Sequence, residues 1–164
     1  MDTEAPDADR PAFTAAIRTA RWVLDAPEVA GALALSDLGD WLRAGACHDR
    51  AYVEEQFRAW LDEHRPERWT AFNLDFDARF LSWIDLPPTE RCLMLWPQEV
   101  IDRADPDWLP KISGGRSKWP RASEAATWLR GRGHAISDGQ EHRALTDARR
   151  EADILVALMA EGRR

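Results

Sequence analysis

Residues 68–81 have the sequence RWTAFNLDFDARFL, which joins a short apolar run to the start of a helix. The run at 68–73 has the aromatic and apolar content of a buried strand. The sequence after it predicts a helix through Ile84, until the Pro87-Pro88 pair stops it. Asp77 then lies near the N-terminus of that helix, where the helix dipole favours negative charge. This stretch predicts a strand followed by a helix, with the Asp77 carboxylate fixed near the start of the helix.

The flanking sequence predicts three more helices. Asp49 is expected to cap a helix over 51–64 that ends before Pro66. A short helix is expected to open at Ser123 and to close at Gly131. The last helix is expected over 143–161, where apolar residues recur at spacings of three and four. These residues are Leu145, Ala148, Ala152, Leu155, Val156 and Met159.

Three further segments are less regular. Residues 11–25 fit either a helix or a pair of strands, and residues 90–97 fit either a buried strand or the start of the next helix. Residues 102–120 contain three prolines and the Gly114-Gly115 pair, and predict a long irregular connection of the kind that is often functional. Alternation of helices with short apolar strands predicts an α/β sandwich, as a single domain over 1–164.

Composition narrows the classes of function. Of the 164 residues, 45% are hydrophobic and 31% are charged, as in soluble globular proteins. No apolar run approaches ~18 residues, which argues against a membrane span. The N-terminus lacks a secretory pattern, so we expect a cytoplasmic location. The net charge of −7 disfavours tight binding of long duplexes, and favours local contact with a single-stranded end.

Tryptophan is unusually frequent, with nine residues in the chain. Buried packing is expected to account for about seven of them. The indole ring also stacks on nucleic-acid bases, so the remaining ones are candidates for substrate contact. The sequence does not identify which tryptophans these are.

Three acidic clusters are candidates for chemistry. Asp2 and Glu4 are two residues apart, so both face the same side if the segment is a strand. Asp77 is the helix-start acid described above. His142 and Asp147 are five residues apart at the start of the last helix, and histidine titrates near physiological pH, as a general base must. Taken singly, each cluster also fits a solvated terminus or a helix cap.

In this order along the chain, the clusters resemble the three exonuclease motifs of the DnaQ-like (RNase H-like) superfamily, which includes proofreading exonucleases, RNase T and oligoribonuclease. The first motif, Asp-x-Glu, is matched by Asp2-Thr3-Glu4. The fixed positions of the second motif are matched by Asn73, Phe76, Asp77, Phe80 and Leu81. Those of the third, in the DEDDh branch, are matched by His142, Ala144, Asp147 and Ala148.

The resemblance implies an RNase H-like mixed β-sheet flanked by α-helices and a metal-dependent 3′–5′ exonuclease. Asp2, Glu4, Asp77 and Asp147 would hold two Mg²⁺ or Mn²⁺ ions, which prefer carboxylate oxygens. His142 would act as general base. The substrate would be the 3′ end of single-stranded DNA or RNA, and no residue of the motifs distinguishes the two sugars. A polymerase or a second copy of the chain is the expected protein partner.

The N-terminal motif departs from the family pattern. In the family it ends a central strand, whereas here only Met1 precedes Asp2, so we expect this first central strand to be missing from the chain. Ala5-Pro6 stands where the family often has Thr-Thr-Gly. A competing pair, Asp25 and Glu28, has the wrong internal spacing and lies only 52 positions before Asp77, so Asp2 and Glu4 are preferred.

Two other hypotheses remain at this stage. The expected loss of the first strand suggests a catalytically impaired exonuclease-like module that binds nucleic acid or a polymerase partner. If all three motif matches are accidental, the chain is an unrelated helical interaction domain. That hypothesis predicts helical structure without a sheet.

Overall fold

A computed structural model describes residues 48–138 and 144–162, with the backbone alone at 144 and 145. These residues fall into two compact units. The larger described part comprises 67–138 and 148–162, and the smaller comprises 48–66 and 144–147. The single domain over 1–164 stays a prediction.

The described residues form helices, namely α1 (Arg50–His64), α2 (Leu74–Phe80), α3 (Leu95–Ala104), α4 (Ala122–Gly131) and α5 (Ala144–Glu161). Helices account for 54% of these residues, which contain no strand. The predicted α/β fold with an RNase H-like mixed sheet is therefore wrong for this part of the chain. The first central strand, expected to be missing, concerns residues before 48, which lie outside the described ranges. None of the helices within 48–138 and 144–162 is both long and apolar enough to cross a membrane.

The two runs expected to be strands lie beside each other without forming a sheet. Trp69 and Thr89 form an isolated parallel bridge, and the Trp69 N–H donates to the carbonyl of Pro88 at 3.2 Å. The chain turns into α2 and α3 within a few residues of this bridge. Apolar runs this short fit strands and buried helix starts equally well, and this ambiguity explains the wrong prediction.

The segment at 90–97 is irregular from Glu90 to Met94 and helical from Leu95 onward. The N–H groups of Leu95 and Trp96 both donate to the carbonyl of Cys92, at 3.2 and 3.1 Å, and begin α3. Pro97 lies in the first turn, where its missing N–H leaves no helical hydrogen bond unmade. Of the two structures that the sequence left open, the start of a helix is present and the buried strand is not.

Helix α1 confirms its prediction closely. Asp49 occupies the N-cap position and its carbonyl accepts the N–H of Val53 at 3.1 Å, although its side chain makes no capping hydrogen bond. Arg65 ends the helix in the left-handed conformation with φ 44°, and Pro66 follows it, as is common after a helix. Local signals at both ends were sufficient to define this element.

The core of the larger unit lies between α3, α4, α5 and the loops that join them. Its most buried side chains are Leu93, Ile101, Leu109, Ala125, Leu129, Ile154 and Leu158. Helix α4 is held at its start by a hydrogen bond from the Arg121 N–H to the Glu124 carboxylate, 2.8 Å long. After its end the chain turns at Gly133, with φ +90°, a conformation that favours glycine.

Helix α5 has the predicted length but buries a different face. Ile154 and Leu158 are fully buried, whereas Val156 and Met159 are 58% and 46% exposed. The predicted apolar face is therefore wrong at Ala148, Val156 and Met159, whereas Leu155 packs against the core as predicted. The buried face contains two polar residues as well, Arg150 and Asp153. Because these interrupt the apolar pattern, periodicity alone pointed to the wrong side of the helix.

Candidate functional site

The second predicted motif begins with a turn that has its own conformational requirement. Asn73 has φ +78°, a conformation that asparagine tolerates better than most residues. Its carbonyl accepts the N–H of Phe76 at 2.9 Å, and this bond starts α2. Asparagine at this position therefore directs the chain from the extended segment into the helix.

The start of α2 is fixed by contacts on both sides. The Phe72 N–H donates to the Glu151 carboxylate of α5 at 3.2 Å. The Leu93 N–H donates to the carbonyl of Ala71 at 3.1 Å, and Leu74 is buried. These contacts hold the first turn of α2 in one position within the larger unit, as a site residue on that turn requires.

Asp77 lies in the first turn of α2 and is partly buried. Burial raises the pKa of its carboxyl above the ordinary value of 3.8, because the surroundings disfavour the charged form. The positive end of the helix dipole, at the N-terminus of α2, lowers the pKa of a nearby carboxyl. For Asp77 the effect of burial is larger, and the pKa is raised. A carboxyl group whose pKa is shifted because it is partly removed from water is typical of catalytic and ligand-binding sites.

Two aromatic side chains flank Asp77 on α2 and face solvent. Phe76 is 54% exposed and Phe80 is 63% exposed. Their ring centroids are 4.8 Å apart and the rings are tilted by 53°. Exposed rings beside a carboxylate could stack on bases, which all present an aromatic face. Both residues are positions of the predicted second motif, but the sequence contains no signal for their exposure.

Asp77→Asn is expected to increase the free energy of unfolding at about pH 7, because the amide replaces a charge that folding partly buries. Since the pKa of Asp77 is raised above 3.8, the folded protein keeps a proton that the unfolded chain releases. The free energy of unfolding of the wild type therefore falls as the pH rises from about 3.8 through the raised pKa of Asp77. Urea unfolding in a metal-free buffer at about pH 3 and about pH 7 measures the effect.

Asp75→Asn is the matched control for that measurement. Asp75 lies two residues away in the same helix turn and is exposed. We expect the free energy of unfolding of Asp75→Asn to show no comparable gain over the wild type at either pH. A variant Asp77→Asn that is less stable than the wild type at about pH 7 would contradict the assignment of burial as the cause.

The other predicted site residues are described in part or not at all. Asp147 lies in the first turn of α5 and is partly buried. It belongs to the smaller unit, whereas Asp77 belongs to the larger one. Asp2, Glu4 and His142 lie outside the described residues. Within 48–138 and 144–162, no three His, Cys, Asp or Glu side chains are grouped so that they could hold a metal ion together.

The chemistry of Asp77 fits a divalent cation. Its carboxylate supplies the hard oxygen donor that Mg²⁺ and Mn²⁺ prefer. Because burial disfavours the ionised form of this group, a bound cation would compensate the charge that the surroundings oppose. Glu151 has a different role, because it accepts the Phe72 N–H and positions the turn before α2. The sequence missed Glu151, since a glutamate within a helix gives no motif signal.

Comparison of the chain with protein families, curated proteins and solved structures finds no match to any of them. The site is therefore interpreted from its own residues and from the motif pattern.

Proposed function

We propose that this chain is a metal-dependent 3′–5′ exonuclease that acts on single-stranded nucleic acid, in the cytoplasm. The observation that carries the proposal is the first turn of α2, where Asp77 is partly buried with a raised pKa beside two exposed aromatic rings. The described residues are helical and contain no strand, as the hypothesis of an unrelated helical interaction domain predicted, but that hypothesis gives no reason for a carboxylate whose burial opposes its charge. The order and spacing of the motifs along the chain support the same function.

In the proposed mechanism, Asp2, Glu4, Asp77 and Asp147 would hold two divalent cations. These ions would supply the positive charge that the scissile phosphate requires during in-line displacement. Asp77 is kept at one place by the contacts that fix the start of α2. A ring nitrogen of His142 accepts the proton of the attacking water. Phe76 and Phe80 stack on bases near the 3′ end and orient the terminal nucleotide.

The test of this function is shortening of a 5′-labelled single strand. Wild-type protein with Mg²⁺ is expected to give a ladder that begins at the 3′ end, and chelation of the metal should stop it. A circular single strand of the same sequence has no 3′ end and should remain intact. Asp147→Ala is expected to remove the activity. Cleavage of the circle, or full activity in Asp147→Ala, would contradict the proposal.

Calorimetric titration with Mn²⁺ distinguishes the active enzyme from the impaired module. Paired binding of Mn²⁺ is expected for a working two-metal site, and it should weaken in Asp77→Asn. Binding of a single-stranded oligonucleotide without paired Mn²⁺ binding would instead favour the catalytically impaired exonuclease-like module that binds nucleic acid or a polymerase partner.

A further inference from the structure

The irregular connection after α3 contains an unusual concentration of positive charge. Residues 108–121, called the 108–121 loop below, have the sequence WLPKISGGRSKWPR. They contain four basic residues and no acidic residue, in a chain whose net charge is −7. The basic residues are Lys111, Arg116, Lys118 and Arg121. The loop is therefore a local exception to the acidic character of the protein.

The tip of the loop is an ordered hairpin. The Ile112 N–H donates to the carbonyl of Arg116 at 2.8 Å, and Lys111 and Ser117 form an antiparallel bridge. Between them, Gly114 and Gly115 have φ +83° and +73°, which other L-residues rarely adopt. The glycine pair therefore allows the tight reversal that presents Ile112 and Arg116 at the tip.

The base of the hairpin is anchored in the larger unit. Leu109 and Pro120 are almost completely buried on either side of it. Between them, the buried hydroxyl of Ser117 donates to the Asp102 carboxylate of α3 and accepts a hydrogen bond from Lys111 Nζ at 2.7 Å. These anchors fix the outward residues in place before any ligand binds, which lowers the entropy lost on binding.

The loop contains exposed aromatic side chains and an exposed cation without an ion pair among the described residues. Trp119 is 60% exposed and Trp108 is 37% exposed, and they are the exposed tryptophans of the described part. Lys111 and Lys118 pair with carboxylates of α3 and α4. Arg116 is exposed and forms no ion pair with the residues that the structure describes. Its guanidinium remains available for an anionic group.

We infer that the 108–121 loop is a binding surface for single-stranded nucleic acid. The indoles of Trp119 and Trp108 stack on unpaired bases, and Arg116 contacts a backbone phosphate, to which a guanidinium can donate two parallel hydrogen bonds. A duplex hides its base faces and would meet the acidic remainder of the chain. The inference rests on the proposed function for the class of ligand, and adds the surface that holds the strand.

Binding is measured by fluorescence anisotropy with a 5′-labelled oligothymidylate, in a chelator that prevents cleavage. Trp119→Ala is expected to weaken binding roughly tenfold, because stacking on one base is lost. Trp119→Phe should retain most of the affinity. Arg116→Gln is expected to reduce the slope of log affinity against log salt by about 0.7, the value for one phosphate contact on a single strand.

Two exposed residues outside the loop give matched controls. Tyr52→Ala removes an aromatic side chain that is 49% exposed on α1, and Arg103→Gln removes an exposed cation of α3. Both should bind as the wild type does. Thermal unfolding by circular dichroism verifies that each variant folds, as expected for substitutions at exposed positions.

The outcomes separate this inference from the proposed function. If the wild type shortens the strand but Trp119→Ala and Arg116→Gln bind it normally, the loop is not the binding surface, and the inference is overturned. A loop that binds protein instead would give this same unchanged affinity. If the loop variants bind weakly and the wild type shows no metal-dependent shortening, the binding surface stands and the exonuclease proposal fails.

Discussion

Asp77→Asn is expected to reduce the rate of Mg²⁺-dependent shortening of a single strand by roughly a hundredfold or more. The amide has nearly the size of the carboxylate but lacks its charge, so it is a poor ligand for a hard cation. Because Asp77 lies on a turn held by Glu151 and Leu93, the substitution should leave its surroundings in place. The initial rate of release from the 3′ end, at saturating Mg²⁺, measures the effect.

Asp75→Asn again provides the control, since it makes the same change of charge in the same turn at an exposed position. It is expected to keep the wild-type rate within a few-fold. Equal losses in both variants would show a general effect of charge on substrate or metal attraction. Full activity in Asp77→Asn would remove Asp77 from the metal site.

For Asp77→Asn we expect stability to change in the direction opposite to activity. Because the pKa of Asp77 is raised by burial, Asp77→Asn should be more stable than the wild type at about pH 7 while it is less active. A residue that merely supports the fold would lose stability and activity together. The opposite signs are the signature of a group retained for function.

Leu158→Ala is expected to lower the free energy of unfolding by about 2–5 kcal/mol, because its side chain is fully buried in the core of the larger unit. Removing the buried methyl groups loses their burial and leaves a cavity that the packed neighbours fill only in part. Urea denaturation monitored by circular dichroism at 222 nm, the usual helix signal, measures the loss.

Met159→Ala is the control on the adjacent position of α5. Met159 is 46% exposed, so its truncation should change the free energy of unfolding by no more than about 0.5 kcal/mol. A larger loss for Met159→Ala than for Leu158→Ala would mean that the apolar face predicted from the sequence is the packed one. The pair therefore tests directly which side of α5 faces the core.

Elements with strong local signals could be predicted from the sequence. Helices α1 and α5 have nearly the predicted bounds, because their limits depend on a cap, a proline or the extent of a periodic apolar pattern. Helix α2 is shorter than predicted and ends at Phe80, because Leu81 no longer has helical geometry. The irregular connection before α4 was also predicted, since proline and glycine act on the backbone of their own neighbourhood.

The absence of a sheet among the described residues could not be predicted in this way. A strand exists only when partners accept its hydrogen bonds, and those partners are distant in sequence. Trp69 finds a partner segment near Thr89, but the pairing stops after a single bridge. The apolar run at 68–73 would have the same sequence whether or not it joined a sheet. The sequence therefore could not distinguish a strand from an irregular segment at this place.

The features of the candidate site also divide into those that the sequence predicts and those that depend on the tertiary structure. The sequence by itself determined which residues are candidates for chemistry, namely the motif acids and His142, because residue types and spacings are local properties. Only the tertiary structure decided that Asp77 is partly buried while Phe76, Phe80 and Trp119 are exposed. Burial depends on which distant segments pack against a residue, and so do the pKa of a carboxyl and the freedom of a ring to stack.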